Sequence, residues 1–354
     1  MTVHPTRRGA IAGAAAVAMT TTAAAAEAAP LTRLAFGSCA RQTKDQPIWE
    51  AVLAARPELF VFLGDNVYGD TRDPAVLRDK YAMLAAKPGF RKLKETTPLL
   101  AIWDDHDFGR NDAGGDFPMK HESRAAFCDF WDVAPDSPRR TRPDGIYTSL
   151  LVGPPGRDVR IILPDLRFNR TRLRAPGGFP AMAGRYVAGQ LFRHAAVAGP
   201  YGYEDGPDAT MLGAAQWAWL EQELRKPAAL RIIGSSLQVL SRGTGWEAWE
   251  RFPADYERLL AAIGHSSDVL LLSGDVHYGE LSRLERAGAP PLWDLTSSGL
   301  TEVWAVLPPN DRRVGAWRGR NFGMVEIDWD ARRLGLEVRD EAGGVRLRES
   351  VPFG

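Results

Sequence analysis

The stretch that decides the fold is Leu59–Asp70, which reads Leu-Phe-Val-Phe-Leu-Gly-Asp-Asn-Val-Tyr-Gly-Asp. Its first five residues form an unbroken apolar run, which is typical of a buried strand in a parallel sheet. Gly64 ends the run, and Asp65 lies where the strand opens into a loop. Open α/β sheets carry their functional sites at the carboxyl ends of strands, so Asp65 is a candidate functional residue.

Tyr68 follows Asp65 by three positions and adds a phenol. A carboxylate and a phenolate together suit a highly charged cation, and a phenolate favours ferric iron. Taken alone, the stretch is better explained as a strand followed by a turn, since Gly, Asp and Asn are common turn residues. The choice between the two interpretations therefore depends on the rest of the chain.

The composition excludes several classes of protein. The 354 residues carry 44 Lys and Arg against 44 Asp and Glu, so no overall field attracts nucleic acid or an anionic membrane. A hydrophobic content of 45% and 11 tryptophans predict a substantial core. No repeat and no linker divides the chain, so we expect one large domain.

The first 28 residues have the features of an export signal. Arg7 and Arg8 precede a mildly apolar, Ala-rich stretch, and Ala26-Glu27-Ala28 offers a cleavage site. We expect residues 1–28 to be a twin-arginine export signal, read by the twin-arginine translocation machinery, and residues 29–354 to be the mature domain. The apolar segment is too short and weak for a stable membrane span. The prediction is a periplasmic or secreted protein with no membrane span in its mature chain.

Three further apolar strands also end in groups that can bind metal. Leu31–Gly37 leads to Cys39, Pro98–Trp103 leads to Asp104, Asp105 and His106, and Val269–Leu272 leads to Asp275 and His277. If these ends share one sheet edge, the acidic groups repel one another unless cations neutralise them. The mixture of thiolate, phenolate and imidazole favours a transition metal, and a second, carboxylate-rich site suits calcium, manganese or zinc.

Strands and helices alternate in the first part of the chain, and the second part is rich in strands. This order predicts an α/β protein with two packed sheets and helices outside. The stretch Pro176–Pro207 has no clear period and is predicted to be an excursion over the site.

Three motifs resemble the PhoD-like (alkaline phosphatase D) family of the calcineurin-like metallophosphoesterase superfamily. They are Gly64-Asp65-x-x-Tyr68, Trp103-Asp104-Asp105-His106-Asp107 and Ser273-Gly274-Asp275-Val276-His277. The resemblance runs from about Leu31 to about Asp340. It implies a four-layer αββα sandwich of two mixed sheets.

The resemblance also implies roles for the metal-binding residues. Asp65 is the bridging carboxylate, Cys39 and Tyr68 bind Fe(III), and a second divalent cation (Ca²⁺, or Mn²⁺ or Zn²⁺) lies beside it. The remaining ligands implied are Asp105, Asp275 and His277. Asp104 is an alternative to Asp105, and since adjacent residues on an extended segment point oppositely, we do not expect both.

The implied catalytic residues are His106, which protonates the leaving oxygen, and Asp107, which orients the imidazole. Arg167 and Arg170, from Asp165-x-Arg167-x-x-Arg170, are candidates for binding the substrate phosphate. The alternative for both arginines is a salt bridge with Asp165 that braces the loop.

Two departures from the family pattern bear on the metals. Arg41 stands where better-known members have an aspartate. The isolated metal-binding histidine expected after Leu230–Gly234 is missing, with Ser235 or Gln238 nearby.

The function implied is hydrolysis of phosphomonoesters and/or phosphodiesters by a metal-bound hydroxide. One alternative is a phospholipase D-like phosphodiesterase. Another is a catalytically inactive, metal-stabilised binding protein, against which the retained pair His106-Asp107 argues.

Overall fold

The computed structural model describes residues 29–176, 178–191 and 197–354. The predicted export signal, residues 1–28, lies outside the described residues. Over the described ranges the chain forms thirteen strands and nine α-helices. The strands are β1 (Arg33–Gly37), β2 (Leu59–Leu63), β3 (Leu99–Ile102), β4 (Thr148–Val152), β5 (Val159–Leu163), β6 (Leu230–Ser235), β7 (Val269–Ser273), β8 (Gly279–Arg286), β9 (Ala289–Ser297), β10 (Arg313–Trp317), β11 (Asn321–Asp328), β12 (Arg333–Asp340) and β13 (Val345–Pro352). The helices are α1 (Ile48–Ala54), α2 (Pro74–Ala85), α3 (Pro88–Thr96), α4 (Asp105–Phe108), α5 (Lys120–Phe130), α6 (Pro138–Thr141), α7 (Gly178–Leu191), α8 (Ala214–Arg225) and α9 (Pro253–Ile263).

The strands form two mixed sheets. The first sheet has the order β13-β12-β11-β1-β2-β3, and the second has the order β10-β8-β9-β7-β6-β5-β4. In the first sheet β1, β2 and β3 are parallel to one another, and in the second sheet β5, β6, β7 and β9 are parallel. The parallel strands form one side of the first sheet, with β3 at its edge, and the middle of the second sheet.

Strand β2 shows how the layers are held together. All five of its residues are buried, because both faces of the strand are covered. The rings of Phe60 and Phe62 pack against Trp49 of α1, with centroid distances of 5.8 Å in both pairs. Leu63 points the other way, towards Gly234 of the second sheet, where any Cβ would lie 2.9 Å from Leu63 Cδ2.

The outer face of the second sheet is covered by α8 and α9. Trp217 of α8 and Leu259 of α9 share a second core with Ile233 and Leu271 from the sheet. Helices therefore flank two face-to-face sheets, and the predicted four-layer αββα sandwich of two mixed sheets is confirmed.

The stretch Pro176–Pro207, which has no clear period in its sequence, contains α7. Residues 177 and 192–196 of that stretch lie outside the described part. Within the described ranges, no helix is long and apolar enough to cross a membrane.

Candidate metal centre

The metal-capable groups meet at one end of the sandwich, where the parallel strands of both sheets end. Cys39, Asp65 and Asp104 follow β1, β2 and β3 of the first sheet, and Asp275 and His277 follow β7 of the second. The sequence predicted a single sheet edge. The site instead lies across two sheets, because the strands of both point their carboxyl ends towards it.

The backbone at this end adopts an unusual conformation. Nine non-glycine residues of the described chain have positive φ, and six of them lie at the site. Left-handed backbone costs a residue with a Cβ about 1 kcal/mol or more and clusters at functional sites. The six are Cys39 (φ 64°), Asp65 (φ 50°), Asp70 (φ 47°), Asp112 (φ 57°), Asp275 (φ 73°) and His277 (φ 63°).

Two glycines allow the strand ends to approach. Gly64 has φ +91°, and a Cβ there would lie 2.3 Å from the Cβ of Asp104. A Cβ on Gly274 would lie 2.7 Å from Ser38 Oγ and 2.8 Å from the carbonyl oxygen of Leu63. Any side chain at either glycine would therefore push apart the strands that carry the site.

The first group of side chains, which we call the thiolate cluster, consists of Cys39, Asp65, Tyr68 and His277. Donor atoms of Cys39, Asp65 and His277 all lie within 4.8 Å of one another. Cys39 Sγ is 3.4 Å from Asp65 Oδ2, and Tyr68 Oη is 3.1 Å from His277 Nε2. The structure thus brings together the sulfur, carboxylate, phenol and imidazole that the sequence predicted.

Two polar residues that the sequence did not single out position this cluster. Ser298 Oγ accepts the backbone N–H of His277 at 2.9 Å and lies 3.1 Å from Cys39 Sγ, so its hydroxyl proton is available to the sulfur. Gln42 holds the backbone of Tyr68 at both polar atoms, at 2.8 and 3.1 Å. Neither role has a sequence signal, since both depend on residues that are distant in the chain.

The second group, the carboxylate cluster, consists of Asp104, Asp105 and Asp275, whose oxygens approach within 4.8 Å. Asp104 and Asp105 were not both expected to be ligands, because adjacent side chains of an extended segment point oppositely, but here oxygens of both lie in one cluster. The segment is not extended there, because Asp105 begins α4 and the chain turns. Asp65, Asp105 and His106 form a further group within the same distance, so Asp65 of the thiolate cluster also approaches Asp105 of the carboxylate cluster.

Burial dominates the electrostatics of the site. It raises the pKa of Asp65, Asp275 and Cys39 well above their ordinary values, and neighbouring acidic groups reinforce the rise in each case. Burial also lowers the pKa of His277 to about 4, so this imidazole is neutral, which is the form that binds metal. The surrounding protein therefore does not supply enough positive charge to stabilise the ionised forms of these carboxylates and this thiol.

The donor set fits metal ions. One oxygen of Asp104, Oδ2, is buried without a hydrogen-bond partner in the described part of the chain, beside Asp105 and Asp275. A buried acceptor left without a partner is expensive unless a cation satisfies it. Sulfur, phenol and imidazole suit a transition metal, whereas three carboxylates suit a harder divalent cation.

His106 adjoins both clusters. Its Nδ1 is 2.7 Å from Asp70 Oδ1, and its ring packs against that of Tyr68 at a centroid distance of 4.2 Å. Although burial opposes a charge on the imidazole, attraction to Asp105, Asp65 and Asp70 raises the pKa of His106 to about 11. Asp70 was not singled out from the sequence, although it is the last residue of the stretch that decides the fold.

The predicted role of Asp107 is wrong. Its carboxylate accepts the backbone N–H of Asp104 at 2.7 Å and the side-chain amide of Asn66 at 2.5 Å, and Tyr81 Oη donates to it at 3.4 Å. It points away from the imidazole because it lies one residue further round the turn of α4. Asp107 therefore fixes the loops behind the site.

Arg167 and Arg170 are not placed to bind substrate. Both side chains are fully buried, and both pair with Glu247, to which Arg167 donates at 2.9 and 2.8 Å. Arg167 also donates to Asp104 Oδ1 at 2.5 Å. The alternative pairing with Asp165 is also wrong, since that carboxylate accepts backbone and Trp103 N–H groups instead.

The residues at or near the two departures named in the sequence analysis are polar, and each makes contacts within the protein. Ser236, near the position of the missing histidine, donates its hydroxyl to Asp104 Oδ1 at 2.6 Å. Ser235 and Gln238 bond elsewhere. The guanidinium of Arg41 lies over the ring of Tyr68, 3.9 Å from its centroid.

Comparison with solved structures supports the fold. The structure entitled "Structure of PhoD" superposes with a TM-score of 0.66 at 15% identity, covering 91% of this chain and 69% of that chain. GAP50, described as the anchor in the inner membrane complex of Plasmodium, has a TM-score of 0.52 at 13% identity, covering 92% and 90% respectively. No curated protein matches by sequence.

The family model for PhoD-like phosphatases matches residues 34–306, which span the strand ends that carry both clusters. Because this match extends over much more than half of the sequence, the chain belongs to the PhoD-like phosphatase family.

Proposed function

We propose that the protein is an exported, metal-dependent phosphoesterase that hydrolyses phosphomonoesters and/or phosphodiesters at the two clusters. Membership of a phosphatase family makes hydrolysis of phosphoric esters the coarse function. The observation that carries the finer proposal is the meeting of Cys39, Asp65 and His277 within 4.8 Å, directly beside the carboxylate cluster.

The thiolate cluster is proposed to hold Fe(III), and the carboxylate cluster a divalent cation, Ca²⁺ or Mn²⁺ or Zn²⁺. When bound, the two cations supply polarisation of the phosphoryl oxygens and activation of a water molecule. Asp65 would be the carboxylate shared between them, since it lies within 4.8 Å of Cys39 and His277 in one group of donors and of Asp105 and His106 in another. His277, neutral because of its burial, offers a lone pair rather than a charge.

His106 is proposed to donate a proton to the leaving oxygen. Its Nδ1 is held by Asp70, which leaves Nε2 for the substrate and fixes the ring. The buried arginines act on the protein rather than on the substrate, since Arg167 holds Asp104 in place and balances part of its charge. The chain's own residues thus separate into proposed metal ligands, a proposed proton donor and a buried ionic frame, by which we mean Arg167 and Arg170 with Asp104 and Glu247.

Export is part of the proposal, with the twin-arginine signal at residues 1–28, its translocation machinery as partner and a periplasmic or secreted product. The pair Arg7-Arg8 followed by an Ala-rich stretch supports it. Cell fractionation of the full chain and of a variant with both arginines changed to lysine tests this part separately. Equal export of the two would contradict it.

The enzymatic proposal is tested with purified protein loaded with iron and calcium. Hydrolysis of an aryl phosphomonoester or phosphodiester, lost on changing Asp65→Asn, is the expected result. Inactivity of fully metallated protein on both esters would favour the binding-protein alternative. A preference for diesters that extends to phospholipid vesicles would favour the phospholipase D-like alternative.

A further inference from the structure

We propose that Arg41 determines specificity at this site: its guanidinium binds the non-bridging phosphate oxygens of the substrate and favours doubly charged monoesters over diesters. This inference rests on the proposed phosphoesterase function. It concerns a residue at which the chain departs from the family pattern.

Arg41 lies directly beside the thiolate cluster. Its guanidinium covers the ring of Tyr68, 3.9 Å from the centroid. The hydroxyl of that same ring is 3.1 Å from His277 Nε2 in the thiolate cluster. A cation is therefore held one aromatic ring away from the donors that the proposal assigns to iron.

The guanidinium of Arg41 is oriented by a contact at its Nε, while its two terminal nitrogens stay available to a ligand. Its Nε donates to Glu302 Oε1 at 3.0 Å, and the backbone N–H of Arg41 donates to Thr301 Oγ1 at 2.7 Å. Among the residues that the structure describes, neither of its terminal nitrogens has a hydrogen-bond partner. The side chain is 35% exposed, so an anion can reach those nitrogens.

The other guanidinium groups of the site differ from Arg41. Arg167 and Arg170 are 0% and 1% exposed and are committed to Glu247, so they cannot turn towards a substrate. His106 also lies against Tyr68, but it is assigned to the leaving oxygen. Arg41 thus combines an exposed side chain with contact to the ring of Tyr68 in the thiolate cluster.

The chemistry of phosphate explains the expected preference. An arginine fork binds two oxygens of a phosphate at once, with charge-assisted hydrogen bonds. A phosphomonoester dianion offers three non-bridging oxygens and two negative charges, whereas a diester offers two such oxygens and one charge. Arg41 therefore gains more from the monoester, and inorganic phosphate, whose dianion has the same charge and the same three unprotonated oxygens, is a probe of the same contact.

Lys44 provides a matched control. Its Nζ lies 2.9 Å from the same Glu302 carboxylate, and its side chain is 44% exposed. In the described structure its contacts do not include Tyr68. Lys44→Met therefore removes one positive charge from the same ion cluster without removing the group over the phenol.

The experiment compares wild type, Arg41→Met, Arg41→Lys and Lys44→Met, each loaded with the same metals. Two readouts are measured: kcat and KM for an aryl monoester and an aryl diester with the same leaving group, and calorimetric binding of inorganic phosphate. Metal content and thermal unfolding are recorded for each variant. Arg41→Lys keeps the charge and most of the side chain. It therefore tests the role of the guanidinium even if the methionine of Arg41→Met disturbs Tyr68.

For Arg41→Met we expect the ratio of monoester to diester kcat/KM to fall about tenfold, mainly through KM, and phosphate affinity to fall by a similar factor. Arg41→Lys should recover part of both, and Lys44→Met should leave the ratio near that of wild type. An unchanged ratio and unchanged phosphate affinity in both Arg41 variants would overturn the inference. So would an equal change in Lys44→Met.

The failure of the proposed function is a different result. It would appear as a wild-type protein that hydrolyses neither ester despite full metal loading. The phosphate titration would still decide whether Arg41 binds the anion.

Discussion

Asp70 holds the imidazole of His106, with 2.7 Å between its Oδ1 and His106 Nδ1. The same Oδ1 also accepts the backbone N–H of Asn111 at 3.2 Å, so the carboxylate is itself fixed. A carboxylate on one ring nitrogen sets the tautomer and the orientation of the other. The proposed proton donor of the site is therefore oriented by a residue from the β2–α2 loop, 36 positions away.

The first prediction concerns Asp70→Asn. This change keeps the shape but removes the charge that orients His106, so we expect kcat to fall about 10–100-fold with little change in KM. The loss should be larger for an alkyl phosphate than for an aryl phosphate, because a poor leaving group depends more on protonation. Steady-state kinetics on a series of leaving groups measures this.

Asp107→Asn is the control for that series. Its carboxylate accepts N–H groups of Asp104 and Asn66 rather than the imidazole. We expect reduced thermal stability but a leaving-group dependence equal to that of wild type. A steeper dependence in Asp107→Asn than in Asp70→Asn would contradict the assignment.

A second prediction concerns Tyr68 as an iron ligand. In iron-loaded protein, resonance Raman spectra excited in the visible absorption band should contain phenolate ring modes. These modes should disappear in Tyr68→Phe and persist in Tyr81→Phe, since Tyr81 is also buried but donates to Asp107. Phenolate modes that survive in Tyr68→Phe would remove Tyr68 from the ligand set.

A third prediction concerns the buried ionic frame. Glu247→Gln leaves the guanidinium groups of Arg167 and Arg170 buried without their shared carboxylate. Removing one partner from a buried ion pair costs about 3–5 kcal/mol in the free energy of unfolding. Urea unfolding measures the loss.

The control for this frame is Asp330→Asn. Asp330 pairs with Arg157 at 2.7 Å, but the two side chains are 84% and 52% exposed. Exposed pairs contribute little, so we expect almost no change in stability. Equal losses in Glu247→Gln and Asp330→Asn would show that burial of the pair is unimportant.

A fourth prediction concerns pH and Asp294. Burial raises the pKa of this carboxylate to about 6, even though it accepts the backbone N–H groups of Val239 and Leu240 at 2.9 Å. The folded state therefore holds its proton more tightly than the unfolded state, whose pKa is about 3.9. Stability falls as the pH rises from about 4 through about 6, by about 3 kcal/mol from this group.

Asp294→Asn replaces the carboxylate with an amide that does not titrate and still offers a carbonyl oxygen to both N–H groups. We expect unfolding free energies measured from pH 4 to pH 7 to fall less steeply in the variant than in wild type. Parallel curves would show that Asp294 does not titrate in this range.

The layers and the strand ends of the site could be predicted from the sequence because apolar runs such as Leu59–Leu63 end abruptly in charged residues. The polar ends of four parallel-type strands then predicted which residues meet. Structure at the flanks of the sheets was harder to predict. The edge strand β13 alternates charged residues with small or apolar ones and lacks a continuous apolar run, and β4 exposes Leu150 and Leu151.

The residues that hold the site could not be predicted in the same way. Asp70, Glu247 and Ser298 act through partners 36, 80 and 259 positions away in the chain. No local pattern encodes such a pairing. Asp107 was given the wrong role because its position next to His106 in the sequence suggested contact, whereas the turn of α4 directs the two side chains apart.

Cations are proposed to bind where the two clusters meet, and Asp65 of the thiolate cluster lies within 4.8 Å of Asp105 of the carboxylate cluster. The direct test is elemental analysis of purified, iron- and calcium-loaded protein after extensive dialysis, comparing wild type with Asp65→Asn and with Asp79→Asn, an exposed aspartate on α2. We expect wild type and Asp79→Asn to retain metal and Asp65→Asn to lose it. Wild-type metal content in Asp65→Asn, or none in wild type, would contradict cation binding at Asp65.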